Sequence, residues 1–139
     1  MVALEGGVGA LATSSGQAAQ TIALMNLAEN GGHVVSSSSL YGGTYNLLHY
    51  TLPKMGVEVD FVDDPDDLDA WAKSVKPNTK AFYGESIGNP KGDVFDFEGI
   101  SRVAHDHGIP LVIDNTLASP ALLRPIEHGA DVVVHSATK

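Results

Sequence analysis

The chain of 139 residues contains no cysteine. That absence removes a disulfide framework, a thiolate nucleophile and a cysteine-ligated metal centre, and it agrees with a reducing, cytoplasmic setting. Basic residues are scarce as well: Lys and Arg number 8 against 17 Asp and Glu, a net charge of −9. The few cations are scattered, so a nucleic-acid backbone would be repelled and polyanion binding is excluded. No stretch approaches the roughly 20 apolar residues that span a bilayer. Met1 to Ala12 lacks the basic start of an export signal and is broken by glycine, so a soluble protein without membrane partners is expected. Metal-binding patterns are missing too. His105 and His107 flank Asp106, but positions two apart on a helix point away from each other, and His33, His49, His128 and His135 are isolated. The acidic stretch Asp60 to Asp69 lacks the glycine and the closing glutamate of a calcium loop.

What is present is a hydrophobic fraction of 43%, enough for one globular domain with a core. Helical stretches alternate with short apolar strands that end in Ser, Asn, Asp or Gly, the grammar of an α/β fold. Spacing predicts a helix over Gly16–Glu29, capped by Ser14 or Ser15, stopped by Gly31-Gly32, with Ile22, Leu24, Met25, Leu27 and Ala28 as its apolar stripe. A strand His33–Ser36 follows, then a helix Thr44–Lys54 disturbed near Pro53, and a strand Glu58–Val62. Pro65 is expected to open a third helix with Asp66, Asp67 and Asp69 in its first turn and Leu68, Trp71 and Val75 on its buried face. A strand Lys80–Glu85, a helix Phe97–His107, a strand Pro110–Asp114, a helical stretch Pro120–His128 and a strand Asp131–His135 complete the order. Crossovers of this length favour a mostly parallel sheet with helices on both faces, a three-layer αβα architecture.

Ligands of such sheets bind outside the carboxyl ends of the strands. Ser14 to Gly16, Ser36 to Tyr41, Glu85 to Asn89, Asp114 to Thr116 and Ser136 to Lys139 are all expected to follow strands and should converge on one crevice. Lys139 closes the run VVVHSATK, in which β-branched residues give way to two hydroxyls and an amine. Lysine amines form Schiff bases with carbonyl compounds, pyridoxal phosphate above all, and Ser136 and Thr138 could donate to a nearby phosphate. The turn Thr13 to Gln17 feeds a helix start that could bind phosphate, although an ordinary serine cap is the simpler account of it taken alone. Asp114 ends the buried run Leu111-Val112-Ile113 and needs a partner. A protonated pyridine nitrogen would serve, and so would a helix cap or an ion pair with Arg124. A nucleotide-binding α/β domain would use the same helix start but would leave Asp114 and Lys139 without a shared purpose. A non-catalytic interaction module would not form a Schiff base.

The segments SSGQAAQ, SLYGGTYNL, ESIGNPKGDV, VIDNTLASP and VVVHSATK, in that order, resemble the pyridoxal-phosphate enzymes of cysteine and methionine metabolism, a branch of the aspartate-aminotransferase-like fold. The resemblance extends over essentially the whole chain. It implies that Lys139 bonds the cofactor and shuttles protons and that Asp114 partners the pyridine nitrogen. It further implies that Ser15, Gly16 and Gln17 meet the phosphate with Ser136 and Thr138, that Asn89 binds the ring oxygen, that Tyr41 stacks on the ring and handles a proton, and that Thr116 adds a contact. Each has a plainer alternative: Tyr41 a core aromatic, Asn89-Pro90 a turn, Ser136 a cap. Within the family the wording YGGTYNLLHYTLPKMG and ESIGNPKGDV most resembles the members that carry out γ-replacement on an acetylated homoserine with sulfide or a thiol. Cystathionine synthases, cystathionine lyases and methionine γ-lyase are the alternatives, as is an inactive truncated fragment that acts only in association. Family members are longer homo-oligomers, so the chain is expected to be part of a cofactor-binding large domain. An N-terminal segment with Tyr and Arg cofactor contacts and a small C-terminal domain with the substrate-carboxylate arginine would lie outside residues 1–139.

Overall fold

The computed structural model describes residues 1–138, and the expectation placed on Lys139 lies outside the described residues. Five strands form one parallel sheet in the order β2-β1-β3-β4-β5. They are β1 His33–Ser37, β2 Glu58–Val62, β3 Thr79–Glu85, β4 Leu111–Asp114 and β5 Val132–Val134. The chain runs outward from β1 to β2 and then crosses to the other side for β3, so a topological switch lies between β1 and β3, where ligands of such sheets bind.

The strands read as continuous apolar runs because helices cover both faces. Along β1, Val34 and Val35 point to opposite sides, as do Ala81 and Phe82 in β3 and Val112 and Ile113 in β4. One side packs Leu24 and Ala28 with Leu47, Leu48 and Leu52. The other packs Trp71, Ile100 and Ala104 around Phe82, Phe95 and Phe97. Trp71 is fully buried, and its truncation to Ala would cost about 3–5 kcal/mol.

The helices depart from the sequence reading in specific ways. The first, α1 Val2–Glu5, is too short for periodicity to reveal it. Helix α2 Gly16–Leu27 starts as expected, with the Ser15 hydroxyl accepting from the Ala18 amide. Its expected stripe is corrected: Leu24 is buried, Ile22 and Met25 are exposed, and the polar Gln20 is buried in their place. The Thr44–Lys54 helix begins earlier and is broken into α3 Gly42–Asn46, a π-helical turn Leu47–Thr51 and α4 Leu52–Lys54. Leu47 and Leu48 of the wide turn are both buried in the core. Pro65 does not open its helix; Asp67 caps α5 Leu68–Lys73 by accepting from the Ala70 amide. Helix α6 is Phe97–Asp106, capped by Asp96. The Pro120–His128 stretch splits into α7 Ser119–Leu122 and a 3-10 turn Pro125–His128, because Pro125 cannot continue the first piece.

Candidate active site

At the carboxyl ends of the strands lies a cavity of about 260 Å³. Ser15, Gly16, Gln17, Tyr41, Asn89, Asp114, Thr116, Ser136 and Thr138 line it together with Gln20, Glu85, Ile87 and Leu117. Every described residue expected to touch a cofactor therefore reaches one space. The Ser36–Tyr41 segment contributes only Tyr41; Ser36, Ser37 and Ser39 are buried, and the Ser39 hydroxyl donates to Asp93 at 2.6 Å.

The amides of Gly16 and Gln17 sit in the first turn of α2, where no intrahelical acceptor exists and the helix dipole favours an anion. Gly16 lies so close to the strand-end loop that a Cβ there would come within 2.7 Å of Ser136 Cβ. The absence of a side chain lets the helix start and the Ser136 loop close on the same point. The Ser136 amide donates to Thr116 Oγ1 at 2.8 Å, tying the loops after β4 and β5 together.

Asp114 is paired in register with Glu85 across β3 and β4, so both carboxyls emerge at the same edge of the sheet. The Arg124 alternative is ruled out: its guanidinium meets Glu127 at 3.1 Å instead. The Asp114 carboxylate is buried and accepts from Gln20 Nε2 at 2.7 Å and from the Thr116 amide at 2.9 Å. Both partners are neutral, and among the described residues no Lys or Arg lines the cavity. A buried carboxylate with neutral partners facing an open space is suited to a cationic ring nitrogen. Burial pushes the Glu85 carboxyl up to about 7; the Tyr41 amide, which donates to its Oε1 at 2.8 Å, opposes that rise and Asp114 reinforces it. Tyr83, buried in the core, is held well above its ordinary range by burial and by Asp114 and Glu85, so it stays a neutral phenol.

Tyr41 is no core aromatic: it is half exposed at the start of α3, with its ring over Gly43. Gln20 and Glu85 are the polar residues that sequence reasoning left without a role. Signals for both existed. Gln20 lies one helical turn beyond Gly16 and so shares its face, and Glu85 ends a buried strand just as Asp114 does.

A parallel αβα sheet with a strand-end cavity, floored by a buried carboxylate and faced by a helix start, defines a cofactor-binding domain of the aspartate-aminotransferase-like, fold type I class. The chain belongs to the Cys/Met metabolism PLP-dependent enzyme family, whose model matches residues 1–139. It is 58% identical over 139 residues to an O-acetyl-L-homoserine sulfhydrylase of Leptospira meyeri, covering 100% of this chain and 31% of that protein. A protein of the same description from Corynebacterium glutamicum is 55% identical, with 100% and 32% covered. The crystal structure of a putative O-acetylhomoserine (thiol)-lyase from Campylobacter jejuni, which carries a pyridoxyl-lysine monophosphate, superposes with a TM-score of 0.96 at 43% identity over 99% of this chain and 34% of that one. The chain thus spans about a third of the length of the relatives it matches.

Proposed function

We propose that the protein carrying this chain is a pyridoxal-phosphate-dependent transferase that replaces the γ-acetoxy group of O-acetyl-L-homoserine with sulfide or a thiol, releasing acetate and homocysteine or methionine. The observation that carries the reading is the buried Asp114 carboxylate, held by neutral donors and facing a cavity that the start of α2 also faces. The relatives' names supply the reaction. Bound there, the cofactor supplies an electron sink for negative charge developing next to the substrate nitrogen.

The chain's own residues divide the remaining work. Asp114 keeps a proton on the pyridine nitrogen, and Gln20 and the Thr116 amide orient the carboxylate for it. The first amides of α2, with Ser15, Ser136 and Thr138, take the phosphate. Asn89 binds the ring oxygen. Tyr41 covers the ring and holds or accepts a proton at its phenol oxygen, while Thr116 ties the Ser136 loop in place. Lys139 is the residue that bonds the cofactor and moves the substrate α-proton. Residues 1–139 form part of the large domain of a longer cytoplasmic enzyme, a homo-oligomer built as a dimer of dimers, in which further segments complete the substrate site. The share of each relative that the chain spans supports the reading that the enzyme is longer than these residues.

The test uses the full-length protein. Borohydride reduction with pyridoxal phosphate followed by peptide mapping should place the label on Lys139. Asp114→Asn should lower turnover roughly a hundredfold, the worth of about 3 kcal/mol for unpairing a buried charge. A label on another lysine, or an Asp114→Asn enzyme with unchanged turnover, would sink the reading.

A further inference from the structure

Outside the residues that line the cavity, α1 delivers a carboxylate to the two loops that carry Asp114 and Ser136. Glu5, at the end of α1, is 4% exposed. Its Oε1 accepts from Asn115 Nδ2 at 3.0 Å and from His135 Nε2. Asn115 sits between the cavity residues Asp114 and Thr116, is fully buried, and spends its other amide hydrogen on the Leu123 carbonyl at 2.8 Å. His135 immediately precedes Ser136. The same loops are already joined by the Asn115 amide donating to the Val134 carbonyl and the Ser136 amide donating to Thr116 Oγ1. Glu5 Oε2 is buried with no hydrogen-bond partner among the described residues. A carboxylate half of whose acceptor capacity is wasted in a buried site is a poor device for stability alone.

We infer that Glu5 is a positioning residue: through Asn115 and His135 it clamps the Asp114–Thr116 loop to the His135–Ser136 loop, and so fixes the spacing between the ring-nitrogen and phosphate ends of the cofactor site. The inference rests on the cofactor reading above. A rigid ligand held at both ends rewards loops whose separation is set before it arrives, and loses affinity when they must be ordered on binding. Neither end of the clamp touches the cavity, so its effect is on placement and not on the chemistry.

The measurement is pyridoxal phosphate affinity of the full-length apoprotein, read by absorbance, alongside the thermal midpoint. Glu5→Ala should weaken binding at least about tenfold with the sheet intact, and Glu5→Gln, whose carbonyl can accept from both partners, should restore affinity to within a few-fold of the parent. Should Glu5→Ala fail to fold, His135→Ala, at a partly exposed side chain, is expected to show the same tenfold loss. A lowered midpoint with parental affinity in Glu5→Ala or His135→Ala would overturn the clamp alone. A parent protein that binds no cofactor would overturn it together with the proposed function.

Discussion

Tyr41 shows how a single glycine can set an aromatic ring. Its backbone amide is fixed by Glu85, but its side chain is half exposed and owes its place to the bare surface of Gly43. A Cβ at Gly43 would come within 2.6 Å of Tyr41 Cε1 and 3.1 Å of Gln17 Nε2. Because the ring is free to swing, Gly43→Ala should displace it without unfolding the helix, which would itself gain up to about 1 kcal/mol from losing the glycine. The expected outcome is cofactor affinity reduced severalfold with a thermal midpoint at or above that of the parent. Parental affinity would show that the ring is placed by something else. At this scale the sequence marked the cavity residues well, because strand ends and one helix start already point to them. Gln20 and Gly43 escaped it and Glu85 was placed on the crevice without a role, since what these residues do depends on which side chains meet across elements far apart in the chain.

At the level of elements, α2 separates two jobs that its sequence fuses in Ser15-Gly16. Ser15 satisfies the Ala18 amide, an ordinary cap worth about 1 kcal/mol. Gly16 permits the Ser136 backbone to approach, with Ser136 Cα only 3.1 Å from where a Cβ would stand. Ser15→Ala should therefore lower the thermal midpoint yet leave cofactor affinity within a few-fold. Gly16→Ala should force the Ser136 loop outward and cost affinity by about tenfold or more, with the helix retained. Equal effects of the two substitutions on affinity would refute that division. Elements themselves were legible where they are long or doubly covered: all strands and α2 and α6 sit within a few residues of their expected places. They were not legible where local chemistry overrides periodicity. The π-helical turn at Leu47–Thr51, the Asp67 cap that displaces Pro65, and the break before Pro125 each follow from hydrogen bonds that a hydrophobic repeat does not encode.

Across the whole molecule, the sheet carries a titrating group at each end, and the two oppose each other. At the amino end of β1, His33 is fully buried, with Nδ1 2.8 Å from Thr79 Oγ1 and Nε2 3.3 Å from Asp60. Burial, and then the Lys76 ammonium, lower its pKa below 6.5 despite Asp60 and Glu58. The unfolded chain thus takes up the proton first, and His33 removes stability as pH falls through 6.5. At the carboxyl end, the folded state holds Glu85 protonated up to about 7, whereas the unfolded carboxyl loses its proton near 4.5. Within that window the native state binds the extra proton, so Glu85 adds stability as pH falls and removes it as pH rises. Glu85→Gln keeps an acceptor for the Tyr41 amide and abolishes the titration. Its stability relative to the parent should be greatest at pH 8 and decline toward pH 5, where the uncompensated His33 makes the variant steeper to acid. Urea midpoints for both proteins across that range provide the check. Parallel curves would mean that Glu85 is ionised throughout that range.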